Sequence, residues 1–136
     1  MMKRSKKSLY SEMVLLYRID KQGEQGQRVN DLCREMNIPV KFLTEEDLDS
    51  SVGQLAEMSI LQEPQTAEDP ELPTLPAMIL RGFTSKRIDE LFSKMRDRGT
   101  GYIPLKAVIT EVNRYWSLKL LLQNLVQERK QMESMR

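Results

Sequence analysis

The sequence predicts an α/β fold in which two β-α-β-α halves form a four-stranded, mostly parallel sheet of order 2-1-3-4, with helices on both faces. Similar apolar runs occur twice, MVLLYR from Met13 and MILRGF from Met78. The same offset of 65 residues aligns IPVK, from Ile38, with IPLK, from Ile103. Helical patterns separate these runs, and the alternation of strands with helices is typical of parallel sheets that are covered on both faces.

Each half is predicted to begin with a central strand and to continue to an edge strand. The first runs are short, apolar and partly β-branched, as buried strands are. The second runs follow Pro39 and Pro104, and proline is tolerated where a strand begins. Lys41 and Lys106 lie within the second strands, where a charge discourages edge-to-edge pairing. We expect the first and third strands to be parallel neighbours; the alternative is a ferredoxin-like α+β fold with an antiparallel sheet.

Apolar side chains recur at helical spacing after the predicted strands. Between the strands of each half, four of them stand at positions i, i+3, i+4 and i+7, which places them on one face of a helix. Thr84 and Ser117 are predicted to cap the third and fourth helices, and Thr44 begins a pattern close to a capping box at the second. The apolar sets are Val29, Leu32, Cys33 and Met36 in the first helix, Leu48, Val52 and Leu55 in the second, and Ile88, Leu91, Phe92 and Met95 in the third.

A chain of 136 residues suits one compact domain. We divide it into a basic N-terminal tail (1–12), a first half (13–61), a connector rich in proline and acids (62–76) and a second half (77–136). Either duplication or chance similarity between two β-α units explains the doubled pattern, and the element order is the same in both cases. The tail is interpreted as an arm for phosphates or as a solvated terminus; its cations are Lys3, Arg4, Lys6 and Lys7.

The composition argues against a nucleic-acid-binding protein or a membrane protein. The apolar share is 40%, the charged share is 30% and the formal net charge is +1, so the whole chain does not attract nucleic acid or anionic lipid strongly. No run reaches the roughly 18 apolar residues of a membrane span. The single cysteine, Cys33, cannot form an internal disulfide. We therefore expect a cytoplasmic protein without a membrane partner.

The sequence offers little catalytic apparatus. Histidine is absent, which removes the commonest general base and metal ligand. Cys33 falls on an apolar helical stripe, and we interpret it as a small buried hydrophobe rather than a nucleophile. The chain has no G-x-S-x-G elbow and no P-loop, and Gly23 to Gly26 is interpreted as a turn. No catalytic residue, metal site or cofactor is predicted.

Two regions are candidates for binding a ligand or partner. In open parallel sheets, ligands bind beyond the carboxyl ends of the strands where the strand order reverses, here between the first and third strands. The loops at that point are Arg18 to Gln27 and Arg81 to Thr84. The second candidate is the loop after strand four; in both cases the alternative is a purely structural role. The predicted site residues are Arg81, Gly82, Phe83, Thr84, Lys106, Thr110, Asn113, Arg114 and Trp116.

The segments GFTSKRIDELF and IPLKAVIT, with the N-x-x-W of NRYW, resemble a family of small bacterial proteins, domain of unknown function family 3783 (DUF3783). The resemblance covers roughly residues 77–126, and the first half resembles the upstream part of such proteins more loosely. Family members often carry a proline and a threonine where this chain has Glu111 and Val112. The resemblance implies this fold and this loop but no activity. The matching positions are Gly82, Phe83, Leu91, Pro104, Lys106, Thr110, Asn113 and Trp116.

Three functions are compatible with the sequence. The favoured hypothesis is a non-catalytic binding or regulatory module that contacts a protein partner or small ligand through the loop after strand four and the strand carboxyl ends. The alternative is an enzyme, or a subunit of one, that handles a small phosphorylated or carboxylated metabolite beside Arg81, Lys106 and Arg114. Nucleic-acid binding by the basic tail ranks last, because no aromatic and basic surface accompanies it. The wide apolar face of the last helix is also compatible with a homodimer.

Overall fold

The computed structural model describes residues 10–134 and contains one four-stranded sheet of order β2-β1-β3-β4. The predicted α/β class and strand order are confirmed, and the cations of the basic tail lie outside the described residues. The elements in chain order are β1 (Met13–Tyr17), α1 (Glu24–Glu35), β2 (Val40–Leu43), α2 (Val52–Leu55), β3 (Ala77–Arg81), α3 (Ser85–Arg98), β4 (Leu105–Val108) and α4 (Leu118–Ser134), with 3-10 turns at Glu45–Asp47 and Asn113–Tyr115.

The two central strands run in opposite directions. β1 is parallel to β2, and β3 is parallel to β4. β1 and β3 are antiparallel, with Leu15 opposite Ile79 at the centre of the pair. The expectation that the first and third strands are parallel is therefore wrong. Each half is a parallel β-α-β unit, and the two units meet through an antiparallel pair.

The connector explains the reversal. Near its start, the Gln65 N–H donates to the Tyr115 carbonyl (2.8 Å), at the end of the sheet where β3 and β4 finish. Near its end, the Pro73 carbonyl accepts from the Tyr17 hydroxyl (3.2 Å), at the opposite end, where β1 finishes. The extended chain thus crosses the length of the sheet and delivers Ala77 beside Tyr17. β3 must then run back along β1.

Two apolar clusters cover the two faces of the sheet. β1 and β3 are buried at every position, as expected for central strands with helices on both sides. Met13 belongs to the cluster under α2 and α4, whereas Met78 belongs to the cluster under α1 and α3. The offset of 65 residues therefore aligns strand positions that face opposite sides. An offset of 64 relates the bounds of β1 to those of β3.

Hydroxyl caps begin the long helices of the second half as predicted. The Thr84 hydroxyl accepts from the Arg87 N–H at 3.2 Å, and the Ser117 hydroxyl accepts from the Leu120 N–H at 3.1 Å. α4 packs on the sheet through Leu118, Leu121 and Leu122. Within residues 10–134, no helix has the length and apolar character needed to cross a membrane.

The predicted second helix is interrupted. Thr44 does form a capping box with Asp47, but the box begins a 3-10 turn of three residues. The four-residue α2 then starts separately, with Ser51 as its cap. Main-chain groups at the break form hydrogen bonds with the start of the last helix. The Val52 N–H donates to the Trp116 carbonyl (2.8 Å), and the Ser50 carbonyl accepts from the Leu118 N–H (2.9 Å).

Replacing Gly82 with alanine is expected to destabilise the protein more than the same change at Gly99. Both glycines have positive φ angles, 80° and 62°, which cost a residue with a Cβ on the order of 1 kcal/mol. A Cβ on Gly82 would also lie 2.5 Å from the carbonyl oxygens of Tyr10 and Ser11, whereas one on Gly99 meets nothing closer than 3.7 Å. Urea unfolding of both variants measures the difference in unfolding free energy. Equal losses of stability would show that a Cβ at Gly82 does not clash with the Tyr10 and Ser11 carbonyls.

Candidate functional site

The antiparallel central pair separates the two loops that were expected to form one cleft. The loop after β1 lies at one end of the sheet, and the loop after β3 lies at the other, so the predicted cleft between them does not form. The loop after β3 instead adjoins the loop after β4. These strands are parallel, and the Ile109 N–H donates to the Leu80 carbonyl at 2.9 Å. Arg81 to Thr84 and Thr110 to Trp116 are therefore neighbours.

Arg81 is buried, with 8% of its surface exposed. Its Nη1 donates to the Ala56 carbonyl at 2.6 Å, and its Nε donates to the Ser11 carbonyl at 3.0 Å. Its Nη2 donates to the Ser11 hydroxyl at 3.1 Å, and the guanidinium lies 5.7 Å from the Tyr10 ring centroid. These contacts tie the end of β3 to the end of α2 and to the segment before β1. The donors of Arg81 are directed at protein acceptors.

The neighbours of Arg81 also have structural contacts. Gly82 adopts a positive φ where the chain passes close to the Tyr10 and Ser11 carbonyls. Phe83 is partly buried against the cluster under α1 and α3. Thr84 caps α3, as described above. This loop is thus held by packing and capping.

The loop after β4 is closed by reciprocal hydrogen bonds between Thr110 and Asn113. The Thr110 hydroxyl accepts from the Asn113 N–H (3.0 Å), and the Asn113 Oδ1 accepts from the Thr110 N–H (2.8 Å). The Asn113 Nδ2 donates to the Val108 carbonyl at 3.0 Å, which anchors the loop to β4. Trp116 packs partly buried against the cluster under α4. Side-chain hydrogen bonds of Thr and Asn to nearby main chain are a common way of fixing a loop.

Arg114 lies within this loop. Its Nη2 donates to the Tyr115 hydroxyl at 2.6 Å and lies 3.3 Å from an oxygen of Glu111. The hydrogen bond to Tyr115 is the main reason that the pKa of Arg114 is raised above its ordinary value. Its buried Nε has no hydrogen-bond partner among the described residues. Arg114 is therefore held against an aromatic ring, with its charge only partly matched by Glu111.

Lys106 lies apart from these loops, on β4 itself. Its Nζ donates to the Ile103 carbonyl at 2.8 Å and lies 5.2 Å from the Tyr102 ring centroid and 5.8 Å from that of Phe92. The predicted site residues thus fall into two groups. One group surrounds the ends of β3 and β4, and Lys106 lies near the beginning of β4.

β4 is an exposed edge strand. The N–H groups of Leu105 and Ile109 donate toward β3, so the main-chain groups of the intervening Lys106 and Val108 point away from it, because hydrogen bonding in a parallel pair involves alternate residues. No strand in residues 10–134 pairs with this outer side. Four of the six exposed large apolar side chains in that range lie in or near this strand. Val108 is within it, Val112 is in the loop that follows, and Tyr102 and Met132 line a groove beside its first residues. We call these side chains and the outward main chain the β4 edge.

Tyr102, in the β4 edge, and Arg129, which contacts it, were not predicted as site residues. Tyr102 is 69% exposed, and its hydroxyl accepts from the Arg129 Nη1 at 2.8 Å. This hydrogen bond is the main reason that the pKa of Tyr102 is lowered from its ordinary value. An aromatic residue in the polar segment GTGY was the one available signal in the sequence. Nothing in the sequence indicated that α4 would bring Arg129 to it.

A groove lies on each side of β4. The α3-side groove has a volume of about 530 Å³ and is lined by Phe92, Met95 and Ile103, with Arg96 and Lys106 at its rim. The α4-side groove has a volume of about 330 Å³ and lies between Tyr102, Leu105 and the last turns of α4. Tyr102 and Lys106 border both grooves. The grooves therefore lie beside the first half of β4, before Ala107 and Val108.

The described residues contain no cluster of three or more acidic, cysteine or histidine side chains that could hold a metal ion. Cys33 is fully buried in α1, within the cluster under α1 and α3. Burial raises the pKa of the Cys33 thiol to about 11. A buried thiol that stays protonated is a weak nucleophile.

Residues 76–132 match the model of a family described as Domain of unknown function (DUF3783). The matched segment contains β3, α3, β4 and most of α4, and this segment resembles that family, as its motifs indicated. No curated protein and no solved structure matches the chain. The family description assigns no reaction. The β4 edge, the α3-side groove and the loop after β4 lie within the matched segment.

Replacing Arg81 with methionine is expected to lower the free energy of unfolding by about 2 kcal/mol, because the buried Ala56 carbonyl and the Ser11 carbonyl lose their donor. The matched change Arg18→Met removes an ion pair with Glu45 whose side chains are 40% and 59% exposed, and it should cost less than about 1 kcal/mol. Urea unfolding measures both. A loss at Arg81 no greater than that at Arg18 would contradict the structural role.

Cys33 is expected to resist alkylation by iodoacetamide in the native protein at pH 8, because a pKa near 11 leaves only about one thiol in a thousand ionised and the sulfur is buried. Unfolding in urea should make it react at the rate of a free thiol. Mass spectrometry of timed samples follows the modification. Equally fast reaction with and without urea would show that the thiol is accessible in the native protein.

Proposed function

We propose that this protein is a non-catalytic binding module that holds a protein partner along the β4 edge, with the loop after β4 supporting the end of the strand. One observation carries the proposal: outward main-chain groups of β4 lie beside exposed apolar side chains. Exposed apolar residues scattered singly are ordinary, but a group of them along an unpaired strand is typical of an interaction surface. The grooves on both sides give a partner's side chains places to pack.

The proposed mode of binding is addition of a strand. An extended segment of the partner would accept from the N–H groups of Lys106 and Val108 and donate to the Lys106 carbonyl. The Val108 carbonyl already accepts from Asn113, so the loop after β4 ends the pairing region. In such complexes, main-chain hydrogen bonds contribute affinity, and alternate side chains contribute specificity. Thr110 and Asn113 would then act by holding the loop at the end of the edge.

The other predicted site residues fit supporting roles in this proposal. Arg81, Gly82 and Thr84 fix the end of β3. Residues 77–80 of β3 pair with all four residues of β4. Trp116 anchors the chain between β4 and α4, and its carbonyl also accepts from Val52. A rigid strand presents its outward groups in a fixed geometry, which lowers the entropy lost when a partner binds.

The alternative of an enzyme for a small anionic metabolite has less support. That hypothesis relied on a cleft between the ends of the first and third strands, and those ends lie on opposite sides of the molecule. It also relied on Arg81 as an available cation, and Arg81 donates to Ala56 and Ser11. Lys106 is too far along β4 to join Arg81 at one anion, since it is level with Met78 and not with the end of β3.

Replacing Val108 with proline is expected to abolish partner binding while leaving the fold intact. Proline removes an N–H that points away from β3, and such positions on edge strands tolerate it. Val40→Pro is the matched control, because the Val40 N–H points away from β1 on the opposite edge of the sheet. Circular dichroism and urea unfolding should show that both variants remain folded.

Affinity capture from cell extract, with quantitative mass spectrometry, compares the wild-type protein with the two proline variants. We expect a set of proteins that is retained by wild type and by Val40→Pro and is depleted at least about tenfold by Val108→Pro, since loss of about 1.4 kcal/mol changes affinity tenfold. If Val108→Pro is folded and retains the same proteins as wild type, the β4 edge does not bind them and the proposal fails.

A further inference from the structure

We propose that the segment bound at the β4 edge carries a carboxylate side chain opposite Lys106 and an apolar side chain two residues away, opposite Val108. This inference rests on the proposed function, since it assumes that a strand is added to β4. It goes beyond it by naming the chemistry of the partner. The preferred ligand is an extended peptide with an acidic residue and a β-branched residue on the same face.

The register of β4 fixes which side of an added strand faces which groove. Lys106 lies beside Met78 and Val108 lies beside Leu80, and both of those β3 residues belong to the cluster under α1 and α3. Lys106 and Val108 therefore project toward α3, because alternate residues of a strand share a face. Residues of an added strand directly opposite them would project to the same side, and the one opposite Lys106 would lie beside the α3-side groove.

The cations on this side have no acidic partner, although Lys106 lies over the rings of Tyr102 and Phe92. The α3-side groove has Arg96 and Lys106 at its rim, and none of the residues that line it is acidic. No ion pair between described residues involves either cation. The Lys106 amine makes one hydrogen bond, to the Ile103 carbonyl. A carboxylate on the neighbouring strand would supply the missing opposite charge, and opposite charges facing each other across two strands stabilise the pair.

The other side of the edge lacks this imbalance. On the α4 side, Arg129 already donates to Tyr102 and lies 3.4 Å from an oxygen of Glu133. Glu128, Glu133 and Lys106 also line that groove, so it already contains two acidic side chains. A partner residue that projects to the α4 side would meet those carboxylates. Selectivity for an acidic side chain is therefore expected only on the α3 side.

The same charge argues against a second copy of this chain as the occupant. Two β4 strands paired across a two-fold axis would bring two Lys106 amines onto the same face of a four-residue strand. Like charges at that separation repel, and a lysine within an edge strand is a common protection against self-pairing. Val108 offers apolar contact beside it, with 39% of its surface exposed. An acidic residue next to an apolar one satisfies both positions.

The test uses the full chain labelled with ¹⁵N and three capped heptapeptides of alternating valine and threonine. Each carries one central substitution on the valine face: glutamate, its neutral isostere glutamine, or lysine. Titration followed by amide chemical shifts gives the dissociation constants and the residues affected. We expect the glutamate peptide to bind about two- to fivefold more tightly than the glutamine peptide, and the lysine peptide to bind most weakly. The largest shifts should fall on the Lys106 and Val108 amides.

A charge exchange supplies the specific control. In Lys106→Glu, the preference should reverse, so that the lysine peptide binds more tightly than the glutamate peptide. Lys86→Glu makes the same change in net charge at an exposed position in the first turn of α3, and it should keep the original order. Reversal in both variants, or in neither, would overturn the assignment of the carboxylate to Lys106.

The outcomes separate this inference from the proposed function. If the three peptides bind equally and Val108→Pro abolishes binding of all of them, the β4 edge accepts a strand but has no preference for acid. If peptide binding is unaffected by Val108→Pro, or if no peptide binds, strand addition at β4 is wrong and the inference fails with it. Retention of the glutamate preference in the folded Val108→Pro variant would place the carboxylate at Lys106 without strand pairing, which also overturns the proposal.

Discussion

The antiparallel pairing of β1 with β3 is the constraint on which the rest of the molecule depends. It joins two parallel β-α-β units through the strands that are buried on both faces, with Leu15 and Ile79 at the centre. Because the central strands are used in this way, β2 and β4 become the edges. The pairing also assigns the carboxyl ends of β1 and β3 to opposite ends of the sheet. A ligand site shared by those two ends is excluded by the geometry, and the edges become the accessible main chain.

Arg81 is the polar counterpart of that apolar centre. It lies at the end of β3, where the segment before β1 and the end of α2 also meet, and it donates to both through Ser11 and Ala56. Carbonyl groups that are removed from water need donors, and leaving one unpaired costs about 1–3 kcal/mol. A single long guanidinium supplies several such bonds with fixed geometry. The sequence predicted Arg81 at an anion site, but its donors instead stabilise the fold by binding Ser11 and Ala56.

The sequence predicted strand order better than strand direction, for a physical reason. Apolar runs such as Met13 to Leu16 are buried equally well whichever way a neighbouring strand runs, so periodicity carries no information about direction. Direction follows from the path of the connector, which depends on distant hydrogen bonds from Tyr17 to Pro73 and between Gln65 and Tyr115. The sequence also did not show which cations are exposed. Arg81 and Lys106 are both cations in or beside strands, but Arg81 is buried and Lys106 lies on an edge strand. The lysine within β4 did correctly indicate an edge strand.

The two edges of the sheet are not equivalent, and this difference is the reason that the proposed binding is placed at β4 and not at β2. On β2, Val40 and Phe42 pack partly buried against the apolar cluster, and the Lys41 amine donates to the Leu55 carbonyl. The side chains of that edge therefore contact other parts of the protein. On β4, Val108 is exposed, and the following loop folds back only as far as the Val108 carbonyl. Leaving apolar surface and main-chain groups in water is unfavourable for an isolated chain. An added strand would remove that cost, and the cations on the α3 side would determine which strands are accepted.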